Sequence, residues 1–405
     1  MIRVITLILL ILFVDEFVFA QKQPDFVLTD EMKKSVALNL EAISILDSVS
    51  EIVWPGWTTY KTLPIFIGSP NNNAVFINPQ NDIPKDFISY NLFDLGNKIF
   101  AREHSCLTNN YSGTIIKLND KNYRLIRMTI FDESINYYYK ERIAGLLEND
   151  WQRNRIKKLL QSPLYYISIN THEAFHFHQK IKKYSLRYKT VEPRYYKKTK
   201  VLAYSFIEGM LLKRALYSEN ETETKELICQ FIAIRELKGL HLSKRQRVYE
   251  KFDEYQEGTA QYVQTQIQVI LDSIDYQAVY NDSYELNSTF ESASNFLFLD
   301  SLCMEASIKD IKDPANKLYF YGQTQAKILD KLCSNLWKTE ILHGNILLFD
   351  LLVKYSGYNP SNKNEYLRQV SADYDFKKIK KNVRKLRLSK QHYILNERKT
   401  PCNNK

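Results

Sequence analysis

Cysteine is scarce in this chain, and the few present have no metal-binding or redox spacing. Cys106, Cys229, Cys303, Cys333 and Cys402 are odd in number, widely spread and form no C-x-x-C pair. That argues against a disulfide scaffold and against a cysteine-based zinc site, although an oxidising compartment leaves room for one or two bridges. Long apolar runs are also lacking: after residue 20 nothing reaches the ~18–20 apolar residues a membrane-spanning helix requires. There is no internal repeat, no low-complexity linker and no nucleic-acid-binding signature. Charge is only mildly one-sided, with a formal net charge of +10. Such an excess favours anionic surfaces or acidic substrates and says nothing about fold.

The first 20 residues carry Arg3, then an apolar stretch from Val4 to Val14, then Val18-Phe19-Ala20 ahead of Gln21. This is the pattern of a cleaved signal peptide, so the expected mature protein is exported, either periplasmic or extracellular. The rest of the chain is long enough to bury a large core as one or two domains.

Residues 24–53 have helical apolar spacing, broken by Trp54-Pro55-Gly56-Trp57. Short β-like runs follow at 64–67 and 74–77. Runs at 114–118 and 123–128 flank the turn signal Asn119-Asp120-Lys121-Asn122. Beyond residue 130 the pattern turns helical, with helices expected at 141–160, after Ser162-Pro163, and at 201–216, 225–237, 243–274, 316–336 and 339–354. The expected fold class is therefore α+β, a small, mainly antiparallel N-terminal sheet followed by a large helical part. The expected division is a signal peptide at 1–20, a sheet-bearing part at 21–135 and a helical part at 136–405.

The most informative stretch is His172-Glu173-Ala174-Phe175-His176, an H-E-x-x-H run. Four residues advance ~400° around a helix, so His172 and His176 lie one turn apart on one face and can hold one Zn²⁺. Glu173 lies ~100° around the same surface, where a carboxylate can accept a proton from a water activated by the metal. The bland competitor is a pair of surface histidines on an amphipathic helix. Gln179 shares the histidine side, while Ile167, Ala174, Phe177 and Ile181 form the expected core side. His178 points away and is expected to be packed or exposed. His104 and His343 stand apart from any ligand spacing.

A hydrolytic zinc usually takes three protein ligands, and two later carboxylates compete for the third place. Glu257 is followed by Gly258, and a mid-helix glycine costs ~1 kcal/mol relative to alanine. Close approach to the metal helix is the expected reason for it. Glu250 and Glu254 on the same stripe are expected to face water. Glu208 sits on a largely apolar face, where an unpaired charge is very costly, so it must be a ligand, an outer-shell partner or half of an ion pair. Glu257 is preferred, but helix-face geometry alone does not separate the two.

His172-Glu173-Ala174-Phe175-His176 followed by Glu257-Gly258-Thr259-Ala260-Gln261-Tyr262 resembles the gluzincin group of zinc metallopeptidases, the wider thermolysin-like class. The resemblance covers these two helices closely and 140–340 loosely. It implies a zincin-like fold, a Zn²⁺ cofactor held by His172, His176 and Glu257, and Glu173 as catalytic base. Two departures stand out: a longer gap between His176 and Glu257, and Gln261 where the class often has an acid, with Asp253 as a possible substitute. Tyr321, in Tyr319-Phe320-Tyr321, is the guessed donor to a developing oxyanion.

The leading expectation is an exported zinc peptidase acting on a peptide or protein. The alternative is a catalytically silent envelope binding protein on a zincin scaffold. The basic run of residues 377–390, from Lys377 to Lys390, could touch an anionic surface weakly, but a solvated helix face is the stronger reading.

Overall fold

A computed structural model describes residues 28–58, 60, 63–68, 74–79, 87–90, 99–102, 112–118, 121–128, 163–179, 198–274, 276–280, 316–344 and 346–397. The expected signal segment, the helix expected at 141–160, His104, Cys106, Cys303 and Cys402 fall outside these residues. Among the described residues, Cys229 and Cys333 are free thiols, and no helix is long and apolar enough to cross a membrane. The chain separates into two compact units. One comprises residues up to 37 with residues 64–131, and the other residues 38–63 with those from 132 onward. Helix α1 (Asp30–Val53) contributes to both.

The first unit holds a six-stranded sheet. Its strands are β1 (Ile65–Gly68), β2 (Ala74–Ile77), β3 (Ile88–Tyr90), β4 (Ile99–Arg102), β5 (Ser112–Leu118) and β6 (Lys121–Met128), in the order β3-β4-β2-β1-β6-β5. All neighbours are antiparallel except β1 and β6, which are parallel. Every residue of β1 and β2 is buried, which explains why both read as short continuous apolar runs. Phe66 and Phe76 stand opposite each other and pack edge-on at 5.0 Å. Strands β3 and β4 are absent from the sequence-based expectation.

The second unit is helical: α2 (Pro163–His178), α3 (Thr199–Tyr217), α4 (Glu221–Gly239), α5 (Lys244–Ser273), α6 (Asn316–Cys333), α7 (Leu336–Gly344), α8 (Leu348–Ser356), α9 (Lys363–Asp373) and α10 (Phe376–Glu397). The helix expected at 339–354 is thus two, α7 and α8. The α+β expectation holds in this coarse form.

Helix α5 is the axis of this unit, packing on α6 along one side and on α2 along another. It opens with a full capping box: Ser243 accepts from the Gln246 backbone N–H, and Gln246 accepts from that of Ser243. Gly258 does have a close-approach role, but the partner differs from the expected one. A Cβ on Gly258 would overlap the Gly322 backbone of α6, and one on Gly322 would overlap the Glu254 carbonyl. The two glycines let α5 and α6 cross backbone to backbone, so the histidine-bearing helix α2 is not what Gly258 accommodates.

Helix α10 carries the basic run. Ile379 and Val383 pack against Val201, Leu202 and Leu242, while Lys377, Lys378, Lys380, Lys381, Arg384 and Lys385 are exposed.

Candidate metal centre

Helix α2 opens at Pro163, where a missing backbone N–H costs nothing. Most of its circumference is buried, rather than only one side. Phe175 is gripped edge-on by Trp54 at 4.8 Å and Trp57 at 5.1 Å. His178 is buried against Trp57 and Phe175. Helix α5 runs antiparallel to α2. At one end the Gln264 side chain donates to the Ser168 hydroxyl at 2.9 Å. At the other, Gln179 reaches Gln256 and Thr259.

Between these two ties the histidines meet Glu257. Glu257 Oε2 stands 3.6 Å from His172 Nε2 and 3.4 Å from His176 Nε2. Both separations are longer than the usual ~2.7–3.2 Å of an N–H···O hydrogen bond. They match the ~3.4 Å that separates two ligand atoms each ~2.1 Å from a tetrahedral ion. Glu173 shares the site, since His172, Glu173 and His176 offer ligand atoms within 4.8 Å of one another. Glu257 offers a second donor set with the same histidines, since its Oε2 faces both Nε2 atoms and all three side chains are largely withdrawn from water. Glu173 is half-buried at the same place, available for a different task.

Hydrogen bonding settles which nitrogen of His176 faces Glu257 as an acceptor. The Thr259 hydroxyl donates to the Tyr255 carbonyl at 2.7 Å, so it accepts from Gln179 Nε2 at 2.7 Å. The same amide nitrogen donates to the Gln256 carbonyl at 2.6 Å. Gln179 must therefore turn its carbonyl oxygen to His176, whose Nδ1 lies 2.7 Å away and must carry a hydrogen. In the neutral ring that leaves Nε2 as a lone pair facing a carboxylate oxygen. Two acceptors so close need a cation between them, either a proton on Nε2 or a metal ion.

The electrostatics agree. Burial alone would lower the His176 pKa, but Glu257, helped by Glu173 and Gln179, raises it to about 9. Burial would raise that of Glu257, yet the two imidazoles hold it well below the usual carboxylate range. Burial, then Glu257 and Glu254, push Asp253 up to about 8. His172 is positioned differently. Its ring lies nearly parallel to Tyr319, with centroids 6.2 Å apart, and its buried Nδ1 has no hydrogen-bond partner among the described residues. Two imidazole nitrogens and a carboxylate are the donors zinc prefers, so these residues fit the group.

Other expected residues lie elsewhere. Glu208 is fully buried and accepts from Arg235 Nε at 2.7 Å and Lys238 Nζ at 2.6 Å. Glu250 and Glu254, expected to face water, are buried in the same cluster. Lys238 pairs with Glu250 at 3.0 Å, and Arg235 grips Glu254 with two bonds of 3.0 and 2.7 Å. Tyr321 requires a correction too. It is buried, and its hydroxyl donates to the Ser205 carbonyl at 2.6 Å beside that cluster, so the hydroxyl is committed to the core and not to an oxyanion. The tyrosine ring that lies parallel to His172 is Tyr319, two residues earlier. Orientation of His176 falls to Gln179, not to Asp253, whose described bond is a long one of 3.5 Å from the Tyr249 hydroxyl. Gln179 could be placed on the histidine side by helical spacing, but its reach to α5 has no local signature.

Comparison with known proteins finds no matching family model, no matching curated protein and no matching solved structure.

Proposed function

We propose that this protein is an exported zinc-dependent metallohydrolase, a peptidase of the zincin type acting on peptide or protein substrates. The observation that carries this reading is the convergence of Glu257 Oε2 on His172 Nε2 and His176 Nε2 at 3.6 and 3.4 Å, longer than the usual N–H···O hydrogen bond and right for ligands of one ion.

His172, His176 and Glu257 would hold the metal, and Glu173 stands beside them. When bound, Zn²⁺ supplies Lewis acidity, polarising a carbonyl and lowering the pKa of water to ~7. Glu173 then takes a proton from the attacking water on its carboxylate and gives it to the leaving amine. Gln179 holds His176 with Nε2 directed at the site, and the Tyr319 ring lies nearly parallel to that of His172. The α+β arrangement is compatible with a zincin scaffold, and the leader-like residues 1–20 support export.

Glu173→Gln is the separating test. The amide cannot accept a proton, so the variant should retain zinc and its unfolding midpoint while losing hydrolysis of an unstructured protein such as casein by 10²-fold or more. Cleavage at the parental rate would remove Glu173 from the base role.

A further inference from the structure

A ligand histidine works only if its ring is held with the correct nitrogen toward the metal, and outer groups that do this commonly set affinity by 10–100-fold. For His176 one side chain meets that need. Gln179 follows the last turn of α2, and its own backbone N–H still bonds the Phe175 carbonyl at 3.1 Å. Its carbonyl oxygen accepts from His176 Nδ1–H, and its amide nitrogen donates to the Gln256 carbonyl and the Thr259 hydroxyl. Those two residues bracket Glu257 in the chain. The same side chain therefore fixes the ring of one donor and ties it to the stretch of α5 that presents another.

We propose that Gln179 is the positioning residue of the site, orienting His176 Nε2 toward Glu257 and clasping α2 to α5 so that the two donors keep their separation. The geometry makes the role directional. Because the Thr259 hydrogen is committed to Tyr255, the amide cannot flip without setting its oxygen against the Gln256 carbonyl and the Thr259 oxygen. The acceptor therefore stays on the His176 side, whether the cation between His176 and Glu257 is a proton or a metal. His172 has no equivalent clasp among the described residues, so loss of Gln179 frees the His176 ring and the α2–α5 tie beside Glu257 but leaves His172 as it is.

The proposal rests on the zinc reading, and the test separates the two. Gln179→Leu removes the acceptor and both donors at similar volume. Gln179→Glu keeps an acceptor for His176 Nδ1–H but replaces the donor to α5 with a second oxygen, which the Gln256 carbonyl and Thr259 oxygen repel. Two quantities are measured on the full protein: zinc affinity by competition with a chromophoric chelator, and the His176 Nδ1–H proton by nuclear magnetic resonance of ¹⁵N-histidine-labelled, zinc-free protein. The expected results are a protected Nδ1–H signal in the parent, its loss in Gln179→Leu with a 10–100-fold drop in zinc affinity, and recovery of the signal with partial recovery of affinity in Gln179→Glu. Unchanged zinc affinity in Gln179→Leu, or a signal that persists in it, overturns the positioning role and leaves the zinc reading standing. A parent that shows the signal yet takes up no zinc overturns the zinc reading and the metal-directed role of Gln179 with it, while the hydrogen-bond assignment stands.

Discussion

Helix α5 carries two acidic centres one turn apart, and they differ in how fully they are satisfied. At Glu254 every strong acceptor has a strong donor: Arg235 takes the carboxylate with two nitrogens, and Gln325 adds a bond of 2.8 Å. Glu208 pairs with both Arg235 and Lys238, and Glu250 with Lys238. At Glu257, the opposing groups are imidazole nitrogens held beyond the usual hydrogen-bond length. The first arrangement is saturated and can only hold the helices together. The second sets a carboxylate oxygen 3.4–3.6 Å from two imidazole nitrogens, a gap that a proton on His176 or a metal ion can fill. Burial and charge are common to both, so neither marks a functional site by itself. The distinguishing feature is incomplete satisfaction with organised geometry.

The largest expected effect breaks the saturated centre. Arg235→Met leaves Glu208 and Glu254 as buried carboxylates short of their main partner, and breaking such a pair costs ~3–5 kcal/mol. Urea denaturation of the zinc-free protein measures it, and an unchanged midpoint would refute the claim that this cluster is structural.

The second prediction sharpens the contrast through pH. His176 has a pKa of about 9 in the folded protein against an ordinary 6.5. The folded state holds this proton more tightly, so its stabilisation is complete below pH 6.5 and is lost as pH rises through 9. The loss is on the order of 3 kcal/mol, since each tenfold change in proton affinity is worth ~1.36 kcal/mol. Asp253, raised to about 8 from 3.8, pushes the same way across its own window. Glu257 acts at the acid end, its contribution being lost only as pH falls well below 4.5. Zinc must displace the His176 proton, so zinc affinity should run oppositely and climb from pH 6.5 to 9. Denaturation midpoints and chelator competition across that window test both trends, and zinc-free stability that rises with pH there would contradict them.

The smallest effect concerns Tyr321. Tyr321→Phe loses the bond to the Ser205 carbonyl, about 1 kcal/mol of stability, and should leave zinc affinity and hydrolysis at the parental values. A loss of hydrolysis with zinc affinity intact would return Tyr321 to the reaction.

What could be read from the sequence follows the range of each interaction. The histidine pair depends on a four-residue spacing within one helix, and its rings lie 4.8 Å apart. The capping box of α5 is equally local. Strands β1 and β2 are continuous apolar runs. Strands β3 and β4 have only three and four residues, too short for a period-2 pattern to be read, although Asn78-Pro79 and Gly96-Asn97 punctuate the chain before them. Glu250 and Glu254 were expected to face water because their partners Arg235 and Lys238 come from another helix. Gly258 signalled a close approach, but which helix approaches is a tertiary fact, and it is α6 through Gly322. Gln179 is the same kind of case, since its partners lie 77 and 80 residues away.

The central claim, that His172, His176 and Glu257 form one ion site, is tested most directly by metal analysis of the purified mature protein and of Glu257→Ala. The account predicts about one zinc per parental chain, as for any single site of this donor set, a gain in unfolding midpoint on adding zinc, and loss of most of both in Glu257→Ala. Parental protein with no zinc and no gain in stability on adding it, or a Glu257→Ala variant that binds zinc as tightly as the parent, would contradict it.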